Sequence, residues 1–306
     1  MKNINKLIKL YFCICDYYDS ELVLHCQRMS NNYQPALTDE EVLTIYFYCL
    51  IVEKRKEIKD IYDFADNYLR SWFPDLGFSY ESFLTRLNKL NGVFVPLLFM
   101  ILEQKIECSK EDELLFFAQQ ILNVVDSMPI MVAKGARSYT AKVANEICDR
   151  GVCASKGMTY YGLKLHILAF ARKLKLPIPE YIGISPASNH DLTVFKPIFE
   201  RLFNRAIYAD KIYGKQDFQE WLLENNNIEI LTPVKRKKGQ KELTAEQKAF
   251  SRAVSKVRQP IEALFGWIID KTGIQNASKV RSVNGLMTHV FGRLAAAMMI
   301  LCLDIF

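Results

Sequence analysis

The chain has only four histidines among its 306 residues, and its eight cysteines follow no pattern. Structural zinc sites need four ligands at tight spacing, and Cys148, Cys153 and His166 form no compact knuckle. Cysteines scattered through apolar stretches, such as Cys49, Cys302 and the pair Cys13 and Cys15, predict reduced core thiols rather than a disulfide framework. No charged-then-apolar N-terminal segment with a small-residue cleavage site is present, so no secretory signal is expected. The apolar run at 294–306 is too short to span a bilayer and predicts a core helix. Internal repeats, low-complexity tracts and zipper-like heptads are also missing. These absences point to a cytoplasmic globular protein with no membrane partner.

Half the residues are hydrophobic and 24% are charged, enough to bury a sizeable core, split over two domains. The net charge of +6 is modest, so its distribution matters more than its total. Between Lys235 and Arg258 lie nine cations, among them Lys237, Lys238, Arg252 and Lys256, opposed only by Glu242 and Glu246. A solvated helix face preceded by a loop would explain such a tract. Its position directly upstream of a candidate metal ligand favours phosphate binding.

Periodicity divides the chain. Residues 1–115 read as helical, with a capping box at Thr38 and a capping serine at Ser79. Lys54, Arg55, Arg70, Trp72, Arg86 and Lys89 give this region a basic, aromatic surface that suits DNA, although packing alone also explains it and no recognition helix stands out. An acidic helix is expected over 107–117. Strand-like runs follow at 121–126, 159–170, 178–185, 206–210 and 228–231, with helices at 191–204 and 215–225 and a capping box at Thr244. Residues 130–158 read as an irregular connection. The order predicts an α/β domain over 116–306: a mixed sheet flanked by helices, preceded by an all-helical domain.

Three carboxylates stand out. Asp126 and Asp210 each close a short apolar run, and Glu262 lies on the basic helix two residues after Pro260. Each has an ordinary explanation: a turn for either aspartate, an i−4 pair with Arg258 for Glu262. Together they would make a hard, oxygen-rich site for two Mg²⁺ ions, with Mn²⁺ as a substitute, suited to phosphodiester chemistry. Pro260 either kinks its helix or occupies the first turn, and Ile261, Leu264, Phe265 and Ile268 would anchor that helix. His166 reads as a satisfied core histidine, His190-Asp191 as a helix start, and nothing positions Lys164 or Arg137.

Five phrases carry a resemblance: Val125-Asp126-Ser127-Met128-Pro129, Tyr161-Gly162-Leu163-Lys164-Leu165-His166, Pro186-Ala187-Ser188-Asn189-His190-Asp191, Ala209-Asp210-Lys211-Ile212-Tyr213 and Arg258-Gln259-Pro260-Ile261-Glu262-Ala263-Leu264-Phe265. In this order the chain resembles bacterial insertion-sequence transposases of the DDE type, and most of all the IS982 family in the IS4/IS5-like group. The resemblance implies a ribonuclease H-like fold, the triad Asp126, Asp210 and Glu262, and an arginine at Arg258 for DNA phosphate. Lys271 stands for the lysine of the related Tyr-Arg-Glu-Lys pattern, at a longer spacing than usual, and Ser255 replaces the tyrosine. The expected partners are double-stranded DNA, as element ends and target, and a second copy of the chain when assembled on DNA. Cleavage without joining, or DNA binding alone, are the alternatives. A nucleoid-associated location follows from the same resemblance.

Overall fold

The computed structural model describes all residues except 1–2, 27–34, 110–112, 154–155, 237–238, 241 and 306, and it divides into two compact units. The first comprises Met1–Glu107 and Ile268–Phe306, the second Cys108–Trp267.

The described regular elements of the first unit are helical. In chain order they are α1 (Ile4–Ser20), α2 (Asp39–Ile51), α3 (Ile58–Tyr68), α4 (Tyr80–Lys89) and α5 (Phe94–Cys108). Thr38 opens α2 as expected: its hydroxyl accepts from the Glu41 amide while the Glu41 carboxylate accepts from the Thr38 amide. Ser79 caps α4 by accepting from the Ser82 amide. Helix α2 is buried almost all round, from Val42 to Leu50, so it needs cover on every side. Part of that cover comes from the end of the chain. The helical stretch Val283–Cys302 is long and apolar enough to cross a membrane, yet most of it is buried inside the unit, as in a core helix.

This changes the expected division at 115/116. Residues 268–306 pack with the first unit because α2 and the last helix are both apolar on too many sides to face water alone. The basic surface also thins. Arg86 pairs with the buried Asp39 carboxylate, Arg70 with Asp66, and the Arg55 guanidinium lies over the Phe64 ring. No disulfide links any cysteine, but only Cys49, Cys148 and Cys153 are buried; Cys13, Cys15 and Cys302 are half-exposed and Cys108 exposed, so the thiols are less a part of the core than expected.

The second unit is built on a seven-stranded mixed sheet. Its strands are β1 (Phe116–Phe117), β2 (Gln120–Lys134), β3 (Asp149–Cys153), β4 (Met158–Phe170), β5 (Ile178–Pro186), β6 (Arg205–Tyr208) and β7 (Ile228–Leu231). Antiparallel β4 lies beside β2 and pairs on its other edge with β3 and β5, while parallel β6 and β7 extend the sheet beyond β2. Helices α6 (Asp191–Phe199) and α7 (Gln216–Asn226) interleave with the later strands. Then comes α8 (Ala245–Thr272), which Thr244 opens with a reciprocal bond pair to Gln247. The short α9 (Val283–Met287) and α10 (Arg293–Cys302), joined by a π-helical turn, belong to the first unit.

Two expectations fail here. Among the described residues the acidic helix over 107–117 is not formed: α5 ends at Cys108, and Phe116 and Phe117 pair with β2. The connection at 130–158 is not irregular throughout, since β2 runs on to Lys134, a 3₁₀ turn follows at Gly135–Tyr139, and β3 occupies Asp149–Cys153. Pro129, which cannot donate to a ladder, lies inside β2. Beyond Val124, however, β6 no longer pairs with β2, so that edge is open and the proline is tolerated.

The β2–β4 ladder shifts register between Met131 and Ala133, opposite Gly162. A Cβ on Gly162 would stand 2.1 Å from the Ile130 carbonyl oxygen, so only glycine permits this approach. We expect Gly162→Ala to destabilise the protein by about 1–3 kcal/mol or more in urea denaturation. Gly77→Ala, whose Cβ would meet nothing within 4 Å, should change stability by less than about 0.5 kcal/mol.

Candidate active site

Parallel pairing brings the two aspartates together. Val124 is the last residue of β2 paired with β6, opposite Tyr208, the last residue of β6. Asp126 and Asp210 each stand two residues further along these neighbouring chains. Asp126 therefore lies inside a long strand, not at its end, but at the point where its neighbour gives out.

Side chains alternate across a sheet, which separates the two faces. Val125 belongs to the core that α6 and α7 cover through Phe195, Phe199, Phe218 and Leu222. Asp126 must point the other way, and it meets α8. That helix buries Val254, Arg258, Ile261, Leu264, Phe265 and Ile268, a stripe at helical spacing that includes all four expected anchors. Pro260 lies inside the helix rather than in its first turn.

Arg258 shares the buried stripe, and its guanidinium is the centre of the site. Its Nη2 donates to Asp126 Oδ2 at 2.9 Å and to Glu262 Oε1 at 3.4 Å, and its Nη1 stands 3.6 Å from Asp210 Oδ1. All three sequence-derived carboxylates thus surround one cation. Arg258 is itself buried in this cluster rather than exposed for a DNA phosphate, with its Nε unpartnered. A buried arginine must be paired, and the carboxylates are the partners within reach.

Burial pushes the Asp126 carboxyl above its ordinary value of 3.8, while Arg258 and the Ser127 amide, 2.9 Å from Oδ1, pull it back. Three carboxylates facing one guanidinium leave a net charge of about −2 when ionised. This all-oxygen donor set suits a hard divalent cation. The carboxylates stand around the guanidinium rather than a common point, and no group of three His, Cys, Asp or Glu among the described residues has ligand spacing. Holding a metal there requires Arg258 to yield its place.

The other candidates lie elsewhere. Arg252 and Lys256 are exposed on α8, Lys271 is exposed beside Asp270 in the first unit, and Lys237 and Lys238 lie outside the described residues. His166 is fully buried, bonded to Ser185 Oγ at 2.8 Å, with burial depressing its pKa to about 4, so it stays neutral as a core histidine.

A family model described as a transposase DDE domain matches residues 119–299, more than half of the chain. The chain belongs to the DDE transposase domain family. DNA is the substrate that a transposase domain implies, and such domains generally use divalent metal ions. The mixed sheet with its flanking helices is compatible with a ribonuclease H-like fold. Comparison with curated proteins and with solved structures returned no match. In this transposase the sequence phrases located the carboxylates but gave no sign that their arginine would be turned inward.

Replacing Arg258 with alanine removes the cation that compensates Asp126 and raises that carboxyl's pKa further. The native state then holds a proton that the unfolded chain has lost, so stability falls as pH rises through the interval above 3.8. We expect Arg258→Ala to cost about 1–3 kcal/mol at pH 7, less than a fully buried pair because Asp210 and Glu262 are partly exposed. Thermal unfolding as a function of pH should show the deficit shrinking once Asp126 is protonated.

Proposed function

We propose that this chain is an insertion-sequence transposase, nearest in its motifs to the IS982 family, that nicks element ends and joins the resulting 3′-hydroxyl to target DNA. One observation carries the reading: Asp126, Asp210 and Glu262, far apart in sequence, face a single buried guanidinium. The strand order β5–β4–β2–β6–β7, antiparallel on one side of β2 and parallel on the other, supports a ribonuclease H-like reading of the catalytic domain.

In this reading the three carboxylates hold two Mg²⁺ ions, with Mn²⁺ as substitute. Bound there, they supply Lewis acidity toward phosphoryl oxygens and lower the pKa of water. Arg258 exchanges its carboxylate partners for a DNA phosphate, whose two anionic oxygens can accept the same bidentate pair of N–H bonds. The Ser127 hydroxyl lies on the opposite face of β2 from Asp126 and donates to Asp191; in this reading water and the DNA 3′-hydroxyl are the nucleophiles, and no covalent protein–DNA intermediate is needed. Arg252 and Lys256, with Lys271, Lys237 and Lys238, bind backbone phosphates, so affinity should fall with salt. The first unit's helices add contacts to double-stranded DNA, and a homodimer on DNA pairs two ends. Such a protein works in the bacterial cytoplasm at the nucleoid.

A Mg²⁺-dependent cleavage and strand-transfer assay on element-end duplexes tests the proposal. Wild-type protein should form joined products, and Asp126→Ala, Asp210→Ala and Glu262→Ala should each abolish them while keeping DNA binding. Joining retained in Asp126→Ala, or cleavage that never leads to joining in the wild type, overturns it.

A further inference from the structure

Behind Asp126 lies a polar chain that the triad does not explain. Ser127, on the opposite face of β2, donates from Oγ to Asp191 Oδ2 at 2.9 Å. Asp191 is the first residue of α6, and its other oxygen, Oδ1, receives Lys164 Nζ at 2.9 Å. Lys164 projects from β4, two residues before Ser127's ladder partner His166, and donates also to the Asn189 carbonyl at 2.8 Å. Both members of the ion pair are largely buried, with side-chain exposures of 18% and 13%. The same helix holds the other aspartate's loop. Tyr213, three residues after Asp210, is fully buried, with its ring against Phe195 and Phe199 at centroid distances of 5.8 and 6.3 Å.

Helix α6 thus grips both aspartate segments from the far side of the sheet. Its apolar middle fixes the Asp210 loop by packing, which is tolerant of small shifts. Its first residue fixes β2 by directed bonds, which are not. The Ser127 amide donates to Asp126 Oδ1, so any rotation of the Ser127 backbone moves that carboxylate directly. An exposed lysine near a DNA-processing site would ordinarily be assigned to phosphate. Here Lys164 is turned inward, and two of its three N–H donors are engaged, by the Asn189 carbonyl and the Asp191 carboxylate.

We propose that Lys164, Asp191 and Ser127 form a positioning set that fixes the Asp126 carboxylate for metal binding, and that none of the three touches DNA. The inference rests on the reading of Asp126 as a metal-holding carboxylate. Partners that orient a metal ligand from behind typically change metal affinity or activity by about 10–100-fold when removed.

The test compares wild type, Ser127→Ala, Asp191→Asn and Ser127→Thr on an element-end duplex. Mn²⁺ binding is measured by electron paramagnetic resonance, alongside the Mg²⁺ concentration for half-maximal cleavage and DNA binding without metal. Ser127→Ala and Asp191→Asn should need about 10–100-fold more metal, with metal-free DNA binding unchanged, and Ser127→Thr should restore most of the affinity. Ser127→Ala leaves the Lys164–Asp191 pair intact, so it decides the matter even where Asp191→Asn folds poorly. A lower melting temperature with unchanged metal requirement in Ser127→Ala makes the set merely structural and overturns the inference. Loss of metal-free DNA binding in Asp191→Asn or Ser127→Ala overturns it as well. Wild-type protein that binds no Mn²⁺ overturns the reading of the triad itself, a separate result.

Discussion

Three carboxylates cannot share a partly buried corner of a protein without a counter-charge, and Arg258 is that counter-charge. Its place on the buried stripe of α8 makes the arrangement possible. A helix that packs Ile261, Leu264 and Phe265 must also carry residue 258 inward, since it lies on the same face. Packing delivers the cation, and the cation gathers Asp126, Asp210 and Glu262. The site's electrostatics and the anchoring of α8 are therefore one constraint rather than two.

The sheet supplies the other half of the geometry. Parallel neighbours advance in step, so residues equally far beyond the last rung emerge side by side. Because β6 is only four residues long, β2 loses its partner at Val124 and exposes the edge where Asp126 stands. A longer β6 would have covered that edge and buried Asp126 within the ladder. The shortness of one strand leaves this edge of β2 unpaired, and Pro129, without an N–H, cannot be recruited into further pairing there.

Much of this was legible in the residues. Capping boxes at Thr38 and Thr244 locate helix starts by local chemistry, and both form as the spacing implies. The apolar runs at β4, β5 and β7 mark strands because they are buried on most sides. What local patterns could not give depends on partners distant in sequence. Phe116 and Phe117 are strand only because β2 offers an edge. Pro129 looks like a terminator until the missing rung beside it is known. The last helices pack within the first compact unit, which apolarity alone did not indicate, because it predicts burial without saying against what. Arg258 was read as a partner of Glu262 or a phosphate contact, and its inward pairing was not foreseen, because the two aspartates lie 132 and 48 residues away.

The division of labour across the sheet explains why Asp191 was read only as a helix start. On the α8 face, charge is left partly uncompensated, with three carboxylates around one guanidinium. On the α6 face, Asp191 is matched by Lys164 and also accepts from the Ser127 hydroxyl. A strand that must present one reactive carboxylate to a cleft cannot also be free to twist, and the residue after that carboxylate points to the opposite face by the geometry of a strand. The bonds that restrain the strand therefore fall on the far face, leaving the Asp126 side to Arg258 and the other carboxylates. Their sequence signal was a serine after the first aspartate, a lysine in the paired strand and an aspartate at the following helix's first turn, three residues whose common role becomes visible only when the sheet is closed.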